Sequence, residues 1–272
     1  MVFQIQKVSN YGTATPAVAR TFYQGCELLG FFAVTGEQQR EDAKGVLREL
    51  QRHLVRCIEL RDAIAHEVAA AHEEIKAKGF QFQSAGRVVT LPSVPDLQSR
   101  AESFLQSTKL AIRETALLVK PFYGEKLDHR FHKFATWSEE QFGPDDAFTQ
   151  AVREWEPWVK NVVDMRNAVD HPDDKPGGRL ITQNFTLGGT PEAPRLVNPT
   201  WGLSGQPQQP IVTEMSELIE GIIELGEEIL AGLFYKLKHN FSLVIYEIPA
   251  EERDPLCPTR LRVGFAPNTE HA

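Results

Sequence analysis

Three scarce features limit what this 272-residue chain can be. It has only three cysteines, Cys26, Cys57 and Cys257, and their odd number and wide spacing indicate neither a disulfide framework nor a zinc site. No apolar run approaches the roughly eighteen residues that a membrane-spanning helix needs. The opening stretch MVFQIQKVSNYG lacks the basic region and the long apolar core of a signal peptide. We therefore expect a protein of the reducing cytoplasm, without a membrane span.

The sequence also lacks the short motifs of several enzyme classes. It has no glycine-rich phosphate loop, no GxSxG nucleophile elbow and no paired-cysteine redox site. The formal net charge of −8 argues against broad, non-specific nucleic-acid binding, because such binding needs a basic surface. Any nucleic-acid site must therefore be a local basic patch. The best candidate is the middle of the chain, with Lys109, Arg113, Lys120, Lys126, Arg130 and Lys133.

Apolar residues with helical spacing dominate the chain and predict a mainly α fold, a helical bundle with small β-hairpin decorations. The longest predicted helix runs without a proline from Glu37 to Lys78, which is about 60 Å at 1.5 Å per residue. The steps of its apolar stripe, here called the seam, alternate between three and four residues, as where helices pack at a shallow angle. The seam needs a partner helix, in this chain or in another. Its residues are Leu47, Leu50, Leu54, Cys57, Arg61, Ile64, Val68, Ala71 and Ile75.

Further helices are predicted on both sides of this long helix. Pro121 is expected to end the helix that begins at Asp96. Pro157 is expected either to kink the helix that begins at Asp145 or to open a new segment. The predicted ranges are 16–34, 96–121, 126–141, 145–171 and 213–239.

Strand-like segments are short and lie between the helices. The stretch FQFQSAGRVVTLP predicts a small hairpin, and GGRLITQNFTLGG with RLVNPTW predicts two short strands around a Gly/Pro turn. FSLVIYEIP and LRVGFAP are predicted as a last pair of strands. We divide the chain into an N-terminal helical hairpin with its small β-hairpin, 1–92, and a helical bundle with a strand insert and C-terminal strands, 93–272.

An arginine followed four to six residues later by a histidine occurs three times in the chain, each time at a spacing of five. The pattern alone is weak, because chance supplies about one or two such matches in a sequence like this one. Two of the pairs lie inside the long helix, and Arg61 falls on its seam, where a polar group more often fixes register than performs chemistry. The three pairs are Arg48 with His53, Arg61 with His66, and Arg166 with His171.

The third pair lies in residues 165–174, MRNAVDHPDD, and differs from the other two. Asn167 follows Arg166 directly and precedes His171 by four positions, so Asn167 and His171 share a helix face. Pro172 disfavours the α conformation for the residue before it and marks a helix end. The negative end of the helix and the neighbouring aspartates favour protonated imidazole, which can act as general acid or base near neutral pH. The alternative is a capped, solvated helix end.

The segment RNAVDHP resembles the RNxxxH motif of HEPN domains, which are helical-bundle proteins. The resemblance covers the motif and the helical pattern around it, about residues 96–239. It implies a metal-independent endoribonuclease of a toxin–antitoxin, defence or RNA-processing system. RNA would be the substrate, an antitoxin or regulatory protein would be a partner, and no cofactor or metal is implied. The residues to which it assigns catalysis are Arg166, Asn167 and His171.

A ribonuclease without a metal needs a base for the 2′-OH, an acid for the leaving oxygen and a cation for the phosphorane. His171 would transfer protons, Arg166 would hold the phosphate in a bidentate manner, and Asn167 would orient either group. Five residues of ideal helix place Arg166 and His171 about 140° apart, so one helix presents both poorly to one phosphate. We therefore expect a homodimer with a shared cleft, which the resemblance also implies. The alternatives are a non-catalytic RNA-binding or scaffolding relative and a plain helical protein-interaction module.

Two further groups are weaker candidates. Asp128, His129 and His132 in LDHRFHKF could bind a metal, but no distant further ligand is evident and a solvated helix face is expected. Trp155 and Trp158 could stack on bases, although their three-residue spacing favours core packing.

Overall fold

The computed structural model describes residues 10–32, 36–83, 88–124, 130–172, 178–237 and 242–266. The chain is mainly α-helical with small antiparallel sheets, which confirms the predicted fold class at this level. A π-helical segment, Ala17–Tyr23, leads directly into the first α-helix. The α-helices are α1 (Gln24–Gly30), α2 (Glu37–Lys78), α3 (Leu97–Leu117), α4 (Lys120–Tyr123), α5 (Phe131–Phe142), α6 (Ala147–Asp170) and α7 (Ile211–Lys236).

Nine short strands form four antiparallel sheets within the described residues. Three of these sheets are two-stranded hairpins, β1–β2, β4–β5 and β8–β9, and the fourth has the strand order β3–β6–β7. Two strands are predicted between α6 and α7, whereas the described part of that stretch contains five. The strands are β1 (Gln81–Gln83), β2 (Val88–Thr90), β3 (Leu180–Gln183), β4 (Thr186–Thr190), β5 (Ala193–Val197), β6 (Thr200–Leu203), β7 (Gln209–Pro210), β8 (Leu243–Glu247) and β9 (Leu261–Phe265).

Pro121 does not act as predicted, and one of the two roles predicted for Pro157 is excluded. Pro121 does not end α3, which stops at Leu117, but lies in the first turn of α4, where its missing N–H is no loss. Pro157 lies inside α6, which continues through it as one helix, so this proline does not open a new segment. The predicted start of α5 at Lys126 lies outside the described residues, and the helix is seen from Phe131.

The chain separates into two compact units, each made of segments that are distant in the sequence. Unit 1 comprises Met1–Val55, Leu110–Glu156 and Glu220–Ala272, and unit 2 comprises Arg56–Lys109 and Pro157–Ile219. The units interleave along the chain, whereas the division predicted at residues 92 and 93 is sequential.

Unit 1 has an aromatic core. The ring of Phe32 lies 5.3 Å from that of Phe122 and 6.1 Å from that of Phe234 of α7, measured between centroids. Phe134 of α5 contacts Phe148 of α6 edge to face, with centroids 6.1 Å apart. These ring pairs join the short helices to α6 and α7.

Unit 2 has its core where α2, α3 and the three-stranded sheet meet. Trp201 of β6 is fully buried, contacts Phe104 of α3 edge to face at 5.8 Å, and donates its indole N–H to the Glu214 carboxylate. Cys57 Sγ of α2 lies 3.7 Å from Thr108 Oγ1 of α3. α3 therefore covers this part of the seam within one chain, so the seam does not by itself require a second copy.

No helix in the described part of the chain is both long enough and apolar enough to cross a membrane. Cys26, Cys57 and Cys257 are all free thiols. Cys57 is completely buried, and its burial raises the pKa of the thiol to about 12.

Candidate functional site

The motif RNAVDHP stands at the C-terminal end of α6. The helix ends at Asp170, and the backbone N–H of His171 still donates to the carbonyl of Asn167 at 2.9 Å, as in a last helical turn. Pro172 follows at the surface and has no N–H with which to continue the pattern. The helix end predicted for this segment is therefore present.

Arg166 is the best-anchored member of the motif. Its Nε donates to Gln106 Oε1 of α3 at 2.9 Å, and its guanidinium forms an ion pair with Asp170, one turn further along α6. The Arg166 side chain is 18% exposed, so it is mostly covered while its guanidinium stays within reach of solvent. Two partners from two helices thus fix the direction of the side chain.

An open pocket of about 400 Å³ lies beside Arg166. Three helices of unit 2 contribute to its walls, and the lining is predominantly polar, with two guanidinium groups and two carboxylates. The lining residues are Arg56 of α2, Glu102, Ser103, Gln106 and Ser107 of α3, and Arg166, Val169 and Asp170 of α6.

The cations at this pocket differ in how firmly they are paired. Arg56 Nη1 lies 3.2 Å from Glu59 Oε2, but both side chains are about half exposed, so this ion pair is weak. Lys109, one turn after Gln106 on α3, is half-buried. Burial lowers the pKa of Lys109, and the nearby Arg166 lowers it further, while Asp170 opposes the change. The guanidinium of Arg166 therefore acts electrostatically on the Lys109 ammonium as well as on the pocket that it lines.

The other two members of the motif lie on a neighbouring row of α6. Arg166 and Asp170 are four residues apart and form one row, whereas Asn167 and His171 form the next, about 100° around the helix. Asn167 is half-buried and His171 is exposed. Neither belongs to the described lining of the pocket. The structure thus brings Arg166 together with Arg56, and leaves the histidine at the helix end.

Sequence reasoning missed most of the pocket. Arg56, Glu102 and Gln106 belong to no motif, and Gln106 is 60 positions from the arginine that it contacts. Of the lining residues, Arg166 is predicted by the motif, and Lys109, which interacts with Arg166 but does not line the pocket, belongs to the predicted basic middle region. To predict that Gln106 contacts Arg166, one would need to know how α3 packs against α6, and the local sequence does not contain that information.

The remaining sequence candidates have structural surroundings. His53 is buried, and its burial together with Arg52 lowers the pKa of its imidazole. Arg61 donates to Ser216 Oγ at 2.9 Å and pairs with Asp62, in keeping with a structural role on the seam. Trp155, expected in the core, is half-buried and donates its indole N–H to Glu228 at 2.5 Å.

Some candidates are described only in part. Asp128 and His129 lie outside the described residues, and of that group only His132 is seen, exposed on α5. Lys126 also lies outside the described residues. Arg113, another residue of the basic middle region, is paired with Glu114 at 3.2 Å.

Comparison of the chain with models of known protein families, with curated protein sequences and with solved structures finds no match.

Proposed function

We propose that this chain is a metal-independent endoribonuclease of the HEPN type and that it acts as a homodimer. The observation that carries the proposal is the position of the motif: Arg166 faces an open pocket and His171 is exposed at the end of the same helix. A phosphate at the pocket mouth can thus meet a guanidinium, and an imidazole is accessible to solvent one turn away. RNA of the cytoplasm is the proposed substrate, with an antitoxin or regulatory protein as a further partner.

The proposed reaction needs no metal. His171 of one chain removes the proton of a ribose 2′-OH, whose oxygen attacks the adjacent phosphorus. The bond from phosphorus to the 5′-oxygen breaks, and the leaving oxygen takes a proton from a second imidazole. The products are a 2′,3′-cyclic phosphate and a free 5′-OH. Arg166 stabilises the charge on the equatorial oxygens by paired N–H donors, and Asn167 orients the imidazole on its own row of α6.

The two-row arrangement of the motif is the reason for proposing a dimer. Arg166 and His171 occupy neighbouring rows of α6 and project in different directions. One chain therefore offers a single imidazole for proton transfer, and its phosphate-binding arginine points to a different side of the helix. A two-fold axis at this helix end repeats both groups and supplies the second imidazole. The seam offers no support for the dimer, because α3 covers it around Cys57 within the chain.

A second candidate is a non-catalytic RNA-binding or scaffolding protein with the same bundle. The ion pair between Arg166 and Asp170 and the hydrogen bond to Gln106 favour it, because these contacts also suit an arginine that only joins α3 to α6. A plain helical interaction module is the third candidate. It predicts neither RNA binding nor cleavage.

Cleavage in the presence of EDTA separates these candidates. We expect the wild-type chain to cut mixed-sequence RNA in EDTA and to leave 2′,3′-cyclic phosphate ends, and the His171→Ala variant to lose at least 100-fold in rate, as for removal of a general acid or base. His66→Ala is the matched control, because His66 is exposed and follows an arginine at the same spacing. It should cut like the wild type.

Two outcomes count against the enzyme. RNA binding without cleavage in the wild type and in both variants favours the scaffolding candidate, and equal cleavage by wild type and His171→Ala places the chemistry elsewhere. Light scattering tests the dimer independently. The expected mass is about 61 kDa, twice the 30.6 kDa of one chain, and a fully active monomer contradicts the shared cleft.

A further inference from the structure

The pocket beside Arg166 carries both signs of charge. Arg56 and Arg166 line it together with Glu102 and Asp170. A ligand that is only anionic meets the carboxylates, and one that is only cationic meets the guanidiniums. The lining therefore suits a molecule with an anionic group at one end and hydrogen-bond donors at the other.

We propose that this pocket is a subsite for one guanine nucleotide unit. The phosphate binds the guanidiniums of Arg56 and Arg166, and the carboxylate of Glu102 accepts hydrogen bonds from the base. The proposal deepens the ribonuclease function above and rests on it for the source of the nucleotide, a residue of the RNA chain next to the scissile bond.

The contacts of Arg56 and Arg166 indicate that these two side chains bind the phosphate group of the nucleotide. The ion pair of Arg56 with Glu59 is exposed on both sides, so exchanging that carboxylate for a phosphate costs little. Arg166 is directed by Gln106 at Nε and by Asp170 at Nη1 before the ligand arrives, and the phosphate competes with Asp170 for the guanidinium. Planar guanidiniums bind phosphate oxygens with two parallel N–H donors, which makes them the better choice over lysine for such a group.

The polar side chains of Glu102 and Gln106 on α3 indicate that this side of the pocket binds the base. Glu102 Oε1 accepts the amide N–H of Gln98 at 2.7 Å, which fixes the carboxylate, and carboxylate oxygens can accept more than one hydrogen bond. Gln106 uses its Oε1 for Arg166, so the atom it can offer to a ligand carbonyl is its Nε2 donor. Guanine presents the complementary edge, with two adjacent N–H donors and the O6 acceptor.

The size of the pocket agrees with one nucleotide unit. Its volume of about 400 Å³ falls within the range of about 300–1,000 Å³ that small-molecule sites occupy. Because the pocket is open to solvent, a nucleotide that continues into an RNA chain on either side can enter it.

Binding experiments test this subsite without relying on cleavage. The probes are GMP, AMP, UMP and inorganic phosphate, together with two oligonucleotides of 2′-O-methyl uridine, one of which contains a single guanosine. The 2′-O-methyl group removes the attacking hydroxyl, so the RNA stays intact. Titration calorimetry on the whole 272-residue wild-type chain is expected to show that GMP binds at least tenfold more tightly than UMP or phosphate. The oligonucleotide with guanosine should bind more tightly than the all-uridine one.

Three variants locate the binding. Glu102→Gln keeps the shape and the hydrogen bond from Gln98 but loses the charge. It should weaken GMP binding at least tenfold, while inorganic phosphate binds at least as tightly as to the wild type. Glu73→Gln is the matched control, because Glu73 is an exposed glutamate of α2 outside the pocket lining. His66→Ala, at an exposed histidine outside the pocket lining, should bind GMP like the wild type. Circular dichroism confirms that each variant is folded.

The outcomes separate failure of the subsite from failure of the ribonuclease. Equal GMP binding by Glu102→Gln and wild type, equal affinity for GMP and UMP, or tighter AMP binding overturns the subsite whatever the cleavage result. If GMP binding depends on Glu102 but the chain cuts no RNA, the proposed subsite is supported and the proposed ribonuclease activity is wrong. An affinity for GMP equal to that for the guanosine oligonucleotide identifies the free nucleotide as the ligand, and a tighter oligonucleotide identifies the RNA chain.

Discussion

Arg20 and Glu227 are 207 positions apart in the chain and form a two-pronged ion pair inside unit 1. Arg20 Nε donates to Glu227 Oε1 at 2.9 Å and Nη2 to Oε2 at 2.6 Å, and the two residues are 7% and 3% exposed. Gln24 joins the pair through its Nε2, while its Oε1 accepts the backbone N–H groups of Arg260 and Leu261. The pair thus holds together the π-helical segment, α7 and the last strand.

Removing Arg20 should be costly, because the buried Glu227 carboxylate then keeps only the more distant Arg260 Nη1, at 3.4 Å, as a cationic partner among the described residues. We expect Arg20→Met to lower the free energy of unfolding by about 3–5 kcal/mol in urea titrations. The double variant Arg20→Met with Glu227→Met should recover much of this loss. Arg52→Met, which breaks the exposed pair with Glu49, is the control and should change stability by about 1 kcal/mol or less. Equal losses for Arg20→Met and Arg52→Met contradict the reading of Arg20 as a buried anchor.

Two glycines of α7 should respond to alanine in opposite ways. A Cβ on Gly232 would overlap the ring of Phe148, whereas a Cβ on Gly226 would meet Leu50 Cδ2 at 3.4 Å, an ordinary contact. We expect Gly232→Ala to destabilise the protein by about 1–3 kcal/mol through overpacking. Gly226→Ala should stabilise it by up to about 1 kcal/mol through helix propensity. Thermal unfolding of the two variants measures both signs, and destabilisation of similar size in both would show that α7 is closely packed at each position.

The periodic helices are the part of the fold that the sequence predicts well. α2 begins at Glu37 and ends at Lys78, as expected, because a proline-free amphipathic run followed by Gly79 leaves little choice. The strands between α6 and α7 were undercounted, since segments of two to five residues carry too few side chains for a period to show. That the ring of Phe148 approaches Gly232 of α7 depends on how the helices pack, which the local sequence does not contain.

The candidate site was predictable only along α6. The sequence itself contains the spacing of Arg166, Asn167 and His171 and the proline that follows them. These features predict a helix end, and α6 ends there, at Asp170. That Arg166 binds Gln106 and shares a pocket with Arg56 depends on how three helices pack, with 60 positions between the two contacting residues of α3 and α6. No periodicity contains that information.

The Glu114 carboxyl predicts a pH dependence of stability. Glu114 is 6% exposed, and burial raises its pKa although Arg113 at 3.2 Å opposes the change. In the unfolded chain a glutamate titrates near pH 4.3, so below that pH the group is protonated in both states and has no effect. As pH rises through the raised pKa of the folded state, the ionised group costs stability. Glu114→Gln should therefore unfold at a higher temperature than wild type at pH 7 and at the same temperature at pH 4. A gain that is equal at both pH values contradicts this assignment.

The ion pair between Arg166 and Asp170 limits how much of the arginine's charge a phosphate can use. Asp170→Asn should release the guanidinium while Gln106 still directs it, so intact 2′-O-methyl RNA should bind more tightly and the salt dependence should steepen by about one phosphate contact. Asp164→Asn is the matched control, because Asp164 also lies on α6, is similarly exposed and pairs with a cation four residues away, Lys160. It changes the net charge by the same amount.

The comparison of these two variants decides whether Arg166 contacts RNA. Binding measured by fluorescence anisotropy over a series of salt concentrations gives both the affinity and the slope. If Arg166 holds a phosphate, only Asp170→Asn gains in affinity and slope, because a general change in charge would act through both aspartates alike. Equal gains mean that the protein responds to net charge alone. Weaker binding by Asp170→Asn means that Asp170 positions Arg166 rather than competing for it, and the arginine then needs both of its partners to face the pocket.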